Sequence, residues 1–115
     1  MKDSKLESLK RLQDIEKAII TIQNYVASET KESFCENTLL HDAVLFQFTV
    51  IGEAIIHVDK GILEKYDYPW YKVRSFRNLV AHEYFSIKLI ALWQIIGADL
   101  IMLNDIVDTI IKKEL

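Results

Sequence analysis

With 115 residues and half of them hydrophobic, the chain can bury one core and is too short for two. Three glycines and one proline are too few for the many tight turns of an all-β fold, which leaves long helices. A net charge of −3 excludes a basic surface that grips nucleic acid everywhere, and the single Cys35 excludes an internal disulfide and a cysteine-rich zinc site.

Residues 4–27 carry Leu12, Ile15, Ile19, Ile22 and Val26 at spacings of three and four, with Lys10, Arg11, Asp14, Lys17 and Gln23 largely between them. That pattern predicts an amphipathic helix. The opening Met1-Lys2-Asp3-Ser4-Lys5-Leu6-Glu7 lacks the apolar run of a secretory signal, and a lone cysteine suits a reducing compartment, so the expected location is the cytoplasm. Residues 28–33 are polar and aperiodic, the composition of a connecting loop. Cys35 reads as a buried spectator thiol.

Asn37 is a good N-cap for a second helix. Leu40, Ala43, Val44, Ile51, Ala54, Ile55 and Val58 mark its apolar face, while Phe46, Phe48 and Val50 fall outside that stripe. Gly52 in mid-helix costs about 1 kcal/mol against alanine, for which close approach of a neighbouring helix is the natural return. The helix is expected to continue past Gly61 to about Lys65, with a bend there. His41 and His57 stand sixteen residues apart, which is no metal-ligand spacing, and Asp42 and Glu53 lack an acidic partner in sequence. Neither a metal site nor a two-carboxylate site is expected there.

Tyr66-Asp67-Tyr68 forms a turn, and Pro69 suits the first position of a third helix, where its missing N–H costs nothing. Trp70, Val73, Phe76 and Val80 supply the inner side. Trp70, Tyr71 and Phe76 read as core rather than as a platform for bases. Between Lys60 and Arg77 five cations face two carboxylates, a local positive patch in which Lys72 and Arg74 are candidate RNA contacts.

Ser86 can cap a fourth helix running to about Lys112, with Phe85 and Ile90 as a hydrophobic staple. Leu89, Leu92, Trp93, Ile96, Leu100, Leu103, Val107 and Ile110 form one apolar stripe; Ala91, Ile95, Ala98, Met102 and Ile106 form another. Lys88, Gln94 and Asp99 interrupt the apolar stretch, which reads as a two-faced helix and not a membrane span. One stripe closes a bundle, and a homodimer is the economical use of the second. The predicted fold is a single all-α domain over residues 1–115, an antiparallel bundle of four helices, or up to five.

The chemistry is concentrated between Arg77 and Tyr84. Arg77 is a fixed cation with a planar fork of donors suited to phosphate. His82 is a side chain that titrates near neutral pH. Five residues apart on a continuous helix they would point roughly 140° apart, so convergence requires a helix end near Glu83 or a second subunit. The same pair also serves as ordinary cations near a helix C-terminus.

Gly52-Glu53-Ala54, Pro69-Trp70, and Arg77-Asn78 followed by His82-Glu83-Tyr84-Phe85 before a long last helix resemble the HEPN superfamily, and within it the HepT-like toxins paired with minimal nucleotidyltransferase antitoxins. The most specific part is Arg, four residues, His, one residue, Tyr, with a polar residue after the Arg. The resemblance implies a metal-independent endoribonuclease without a cofactor, an all-α homodimer with two facing motifs in one cleft. It makes Arg77 and His82 the catalytic pair with Asn78 assisting, and Tyr84 the residue to which the antitoxin adds AMP. Glu83 stands where members often have a small residue. The alternative reading is therefore a non-catalytic HEPN subunit of a two-chain nucleotidyltransferase, and a second is a purely structural helical dimer.

Overall fold

The computed structural model describes residues 2–79 and 89–115, and every regular element among them is helical. Leu12, Ile15, Ala18, Ile19 and Ile22 are buried along one side of α1 (Lys2–Val26), which packs on α3 (Thr38–Ile56) and on the C-terminal half of the last helix. Asn37 caps α3 as expected, its side-chain oxygen accepting the Leu40 N–H at 3.0 Å. Two neighbours share α3: α1 covers one side, and α5 (Trp70–Ser75) with the 3-10 turn Phe76–Asn78 covers another. That is why Phe48, outside the predicted stripe, is fully buried, whereas Phe46 remains exposed.

The last helix, α6, is described over Leu89–Glu114. Leu92, Ile96, Leu100, Leu103, Val107 and Ile110 of its first predicted stripe are buried. The steps from Leu92 to Ile96 and on to Leu100 each overshoot a full turn by about 40° in an ideal α-helix. Residues Ile95–Asp99 adopt π-helical geometry, whose wider turn absorbs that drift and keeps all three leucine and isoleucine side chains on the core. The α3 helix and α6 are both long and apolar enough to cross a bilayer by length and composition. Here α3 is covered on two sides and α6 commits its first stripe to the shared core.

The connection after α1 differs from expectation. Thr30 and Ser33 form a reciprocal capping box that opens a short helix, α2 (Lys31–Glu36), inside the segment read as a loop. Phe34 on α2 is fully buried, and Cys35 is half-buried at the margin of the core. His41 is buried against α2, donating through Nε2 to the Phe34 carbonyl, while His57 is exposed, so both histidines are structural or surface groups.

The second predicted helix also ends earlier. Its α-helical hydrogen bonding stops at Ile56, and Asp59 caps a separate single turn, α4 (Lys60–Leu63), by accepting the Gly61 N–H at 2.7 Å. The bend lies before Gly61 because Asp59, tied to the Ser8 hydroxyl through its own N–H, opens a new cap there. Pro69 sits in the capping position of α5, one residue before its predicted place. Trp70 anchors the turn by donating its indole N–H to the Leu63 carbonyl at 3.1 Å.

Candidate functional site

Phe48, Gly52 and Ile56 lie four residues apart on α3 and form one ridge beneath the 3-10 turn. The Phe48 ring meets Phe76 edge-on, centroids 5.0 Å apart. At Gly52 the ridge drops to bare backbone. A Cβ there would lie 2.4 Å from the Arg77 nitrogen and 3.0 Å from its Cα, so the turn rests directly on the glycine. The close approach expected at Gly52 is therefore made by Arg77 itself.

The side chain of Arg77 leaves this rigid backbone toward solvent. Its Nη1 donates to Glu53 Oε1 at 3.4 Å, with both side chains about half-exposed. So long a contact between such partners contributes at most about 1 kcal/mol, and a phosphate can displace it. Glu53 is the site residue that sequence reasoning missed. Its adjacency to Gly52 was visible, but the 24-residue separation from Arg77 was not informative without the fold.

Arg77, Asn78, Arg74 and Tyr71 line one shallow cavity of about 230 Å³ with Ile56 and Ser75. Lys72 is exposed but lines neither this cavity nor the larger cleft beside it, so the two candidate RNA contacts separate. Trp70, Val73 and Phe76 are core, as expected, whereas Tyr71 is 64% exposed. The larger cleft includes Tyr68, whose phenol is held above its ordinary pKa by burial and then by the Asp99 carboxylate, so it stays a neutral donor at neutral pH. His82, Glu83, Tyr84, Phe85 and Ser86, with the expectations placed on them, lie outside the described residues. Among the described residues no cluster of three His, Cys, Asp or Glu side chains could hold a metal ion.

A family model described as "Ribonuclease HepT-like" matches residues 15–110. A Methanocaldococcus jannaschii protein named "Gamma-glutamylcyclotransferase and putative RNase MJ0434" is 30% identical over 95 residues, 82% of this chain and 43% of that protein. The chain thus spans less than half the length of that relative. "Putative RNase MJ1380" of the same organism is 33% identical over 86 residues, 70% of this chain and 79% of that protein. "Putative RNase TTE0752" of Caldanaerobacter subterraneus is 30% identical over 84 residues, 72% of this chain and 75% of that protein. No solved structure matches.

Proposed function

We propose that this chain, which belongs to the HepT-like ribonuclease family, cleaves RNA without a metal and is the toxin of a cytoplasmic pair whose nucleotidyltransferase antitoxin adds AMP to Tyr84. One observation carries the reading. Arg77 has its backbone pressed on Gly52 and its guanidinium half-exposed beside Asn78, and among the described residues its ion-pair partner is Glu53, at a long 3.4 Å. A cation anchored at its base and weakly held at its tip suits a phosphoryl group that gains charge during reaction.

In the proposed step the RNA 2′-oxygen attacks phosphorus and the bond to the 5′-oxygen breaks, leaving a 2′,3′-cyclic phosphate and a 5′-hydroxyl. One group takes the 2′-proton and another protonates the leaving oxygen. His82 is the suitable histidine of the segment, so a two-fold pair of chains supplies both roles and two Arg77 cations. Asn78 assists by hydrogen bonding to phosphate oxygens.

The second stripe of α6 supports pairing. Ala91, Ala98 and Met102 are exposed, Met102 by 60%, and Ile95 and Ile106 are half-buried. A contiguous apolar strip of this kind on a small protein marks an interaction surface. Met102→Asp is expected to convert a dimer to monomer in light scattering while helical content is kept; a wild type that is itself monomeric would remove the two-chain site.

The function is tested by incubating RNA with purified protein in EDTA, beside His82→Ala. Cleavage by the wild type alone, with cyclic phosphate ends, is expected. Loss of activity with chelator overturns the metal-free mechanism, and silence from a folded wild-type dimer favours the non-catalytic subunit. In the same preparation the partner enzyme and ATP should add the mass of AMP to wild type, and addition that persists in Tyr84→Phe would refute the assignment of that residue.

A further inference from the structure

Resting on the ribonuclease reading, we propose that the cleft beside Arg77 is a subsite for the nucleotide flanking the scissile phosphate, with Tyr71 as its stacking platform and Arg74 and Lys60 as its phosphate contacts. The cleft encloses about 560 Å³, within the ~300–1,000 Å³ of cavities that hold small ligands. It shares Ile56, Tyr71 and Arg74 with the cavity that contains Arg77 and Asn78, so the two form one groove.

The alignment follows from the helix geometry. Tyr71, Arg74 and Arg77 recur every third residue and line one cavity, and the change from α-helix to 3-10 turn at Phe76 brings Arg77 closer to the register of Arg74. An ideal α-helix would rotate each successive member of such a series by about 60°. At rises of 1.5 and 2.0 Å per residue, Tyr71 and Arg77 stand about 10 Å apart along the axis.

The chemistry of the walls fits a single strand. Ile56, Val58 and Leu63 contribute apolar lining, and the exposed Tyr71 ring is a face on which any base can stack. Lys60 and Arg74 have no carboxylate partner among the described residues, whereas nearby Lys65 is engaged by Glu114 at 2.9 Å. The groove sets the cations Lys60, Arg74 and Arg77 against the carboxylates of Glu64 and of Glu53 beside Arg77. The groove is thus positive on a chain that is acidic as a whole.

The test uses wild-type protein and a short single-stranded 2′-O-methyl oligonucleotide, which lacks the attacking hydroxyl and is not cut. Tyr71→Ala is expected to weaken binding roughly ten-fold and Tyr71→Phe to bind like wild type. Arg74→Ala and Lys60→Ala should each lower the slope of log affinity against log salt by about 0.7. The same oligonucleotide paired with its complement should lose sensitivity to Tyr71→Ala, because its bases are no longer free to stack. Wild-type cleavage together with binding indifferent to all three alanine variants overturns the groove and spares the ribonuclease. Tyr71-dependent binding without cleavage of ordinary RNA does the reverse. Loss of nucleotidyltransferase binding in Tyr71→Ala with RNA affinity unchanged assigns the groove to a protein partner and overturns the proposal.

Discussion

Gly52→Val is expected to lower the stability of the fold by about 3 kcal/mol or more and to lose RNA cleavage as fully as Arg77→Ala. The Cβ of any side chain at this position would fall 2.4 Å from the Arg77 backbone nitrogen, 2.8 Å from its Cβ and 3.0 Å from its Cα. Two of those atoms are backbone, so no rotamer change relieves the overlap. The 3-10 turn must lift from α3, and the edge-on contact of Phe76 with Phe48 opens with it. Alanine gains about 1 kcal/mol of helix propensity over glycine, which offsets part of an overpacking cost of about 1–3 kcal/mol. Gly52→Ala meets the same backbone overlap and should be clearly destabilised despite that gain, and Gly52→Val more so. Arg77→Ala separates the two consequences: its side chain is half-exposed, so thermal unfolding should be nearly unchanged while cleavage falls by about 10²–10³-fold, the usual effect of removing one preorganised donor. A Gly52→Ala protein as stable and active as wild type would refute the account of how Arg77 is held.

Phe34→Ala is expected to cost about 3–5 kcal/mol, measured by chemical denaturation. The ring is fully buried, with its centroid 5.0 Å from His41 and 5.2 Å from Trp93. It is the anchor by which α2 packs on α3 and on the N-terminal part of α6. A helix of six residues has no stability of its own, so the docked ring is what holds it. Truncation leaves a cavity and frees the helix that accepts the His41 hydrogen bond. Glu32→Ala, two residues away and exposed, is the control and should change stability by less than about 0.5 kcal/mol. A loss below about 1 kcal/mol for Phe34→Ala would mean that α2 is not docked as described.

The candidate site was partly legible before folding. Arg77, with Asn78 assisting, was recognisable as a candidate beside His82, and an unexplained Gly52 in an apolar helix signalled a close approach. The identity of the approaching residue was not available, because helical periodicity records which face is buried and not what covers it. Glu53 shows the same limit: its partner is 24 residues away and is brought near only because the turn rests on Gly52. Tyr71 and Trp70 were read together as core, yet one is 64% exposed and the other is anchored to the Leu63 carbonyl. Neighbours on a helix point about 100° apart, and only packing decided which of the two faced inward.

By itself the sequence determined the all-helical class, the core stripes of α1 and α6, the Asn37 cap and the chemical character of the Arg77 segment. These depend on local periodicity, on short-range capping and on residue type, which are written within a few positions of one another. Tertiary structure decided that α2 forms, that α3 ends at Ile56, that the 3-10 turn lies on Gly52 and that Glu53 meets Arg77. Each of these depends on contacts between residues far apart in the chain. A six-residue helix or a bare glycine acquires its role only when another element packs against it.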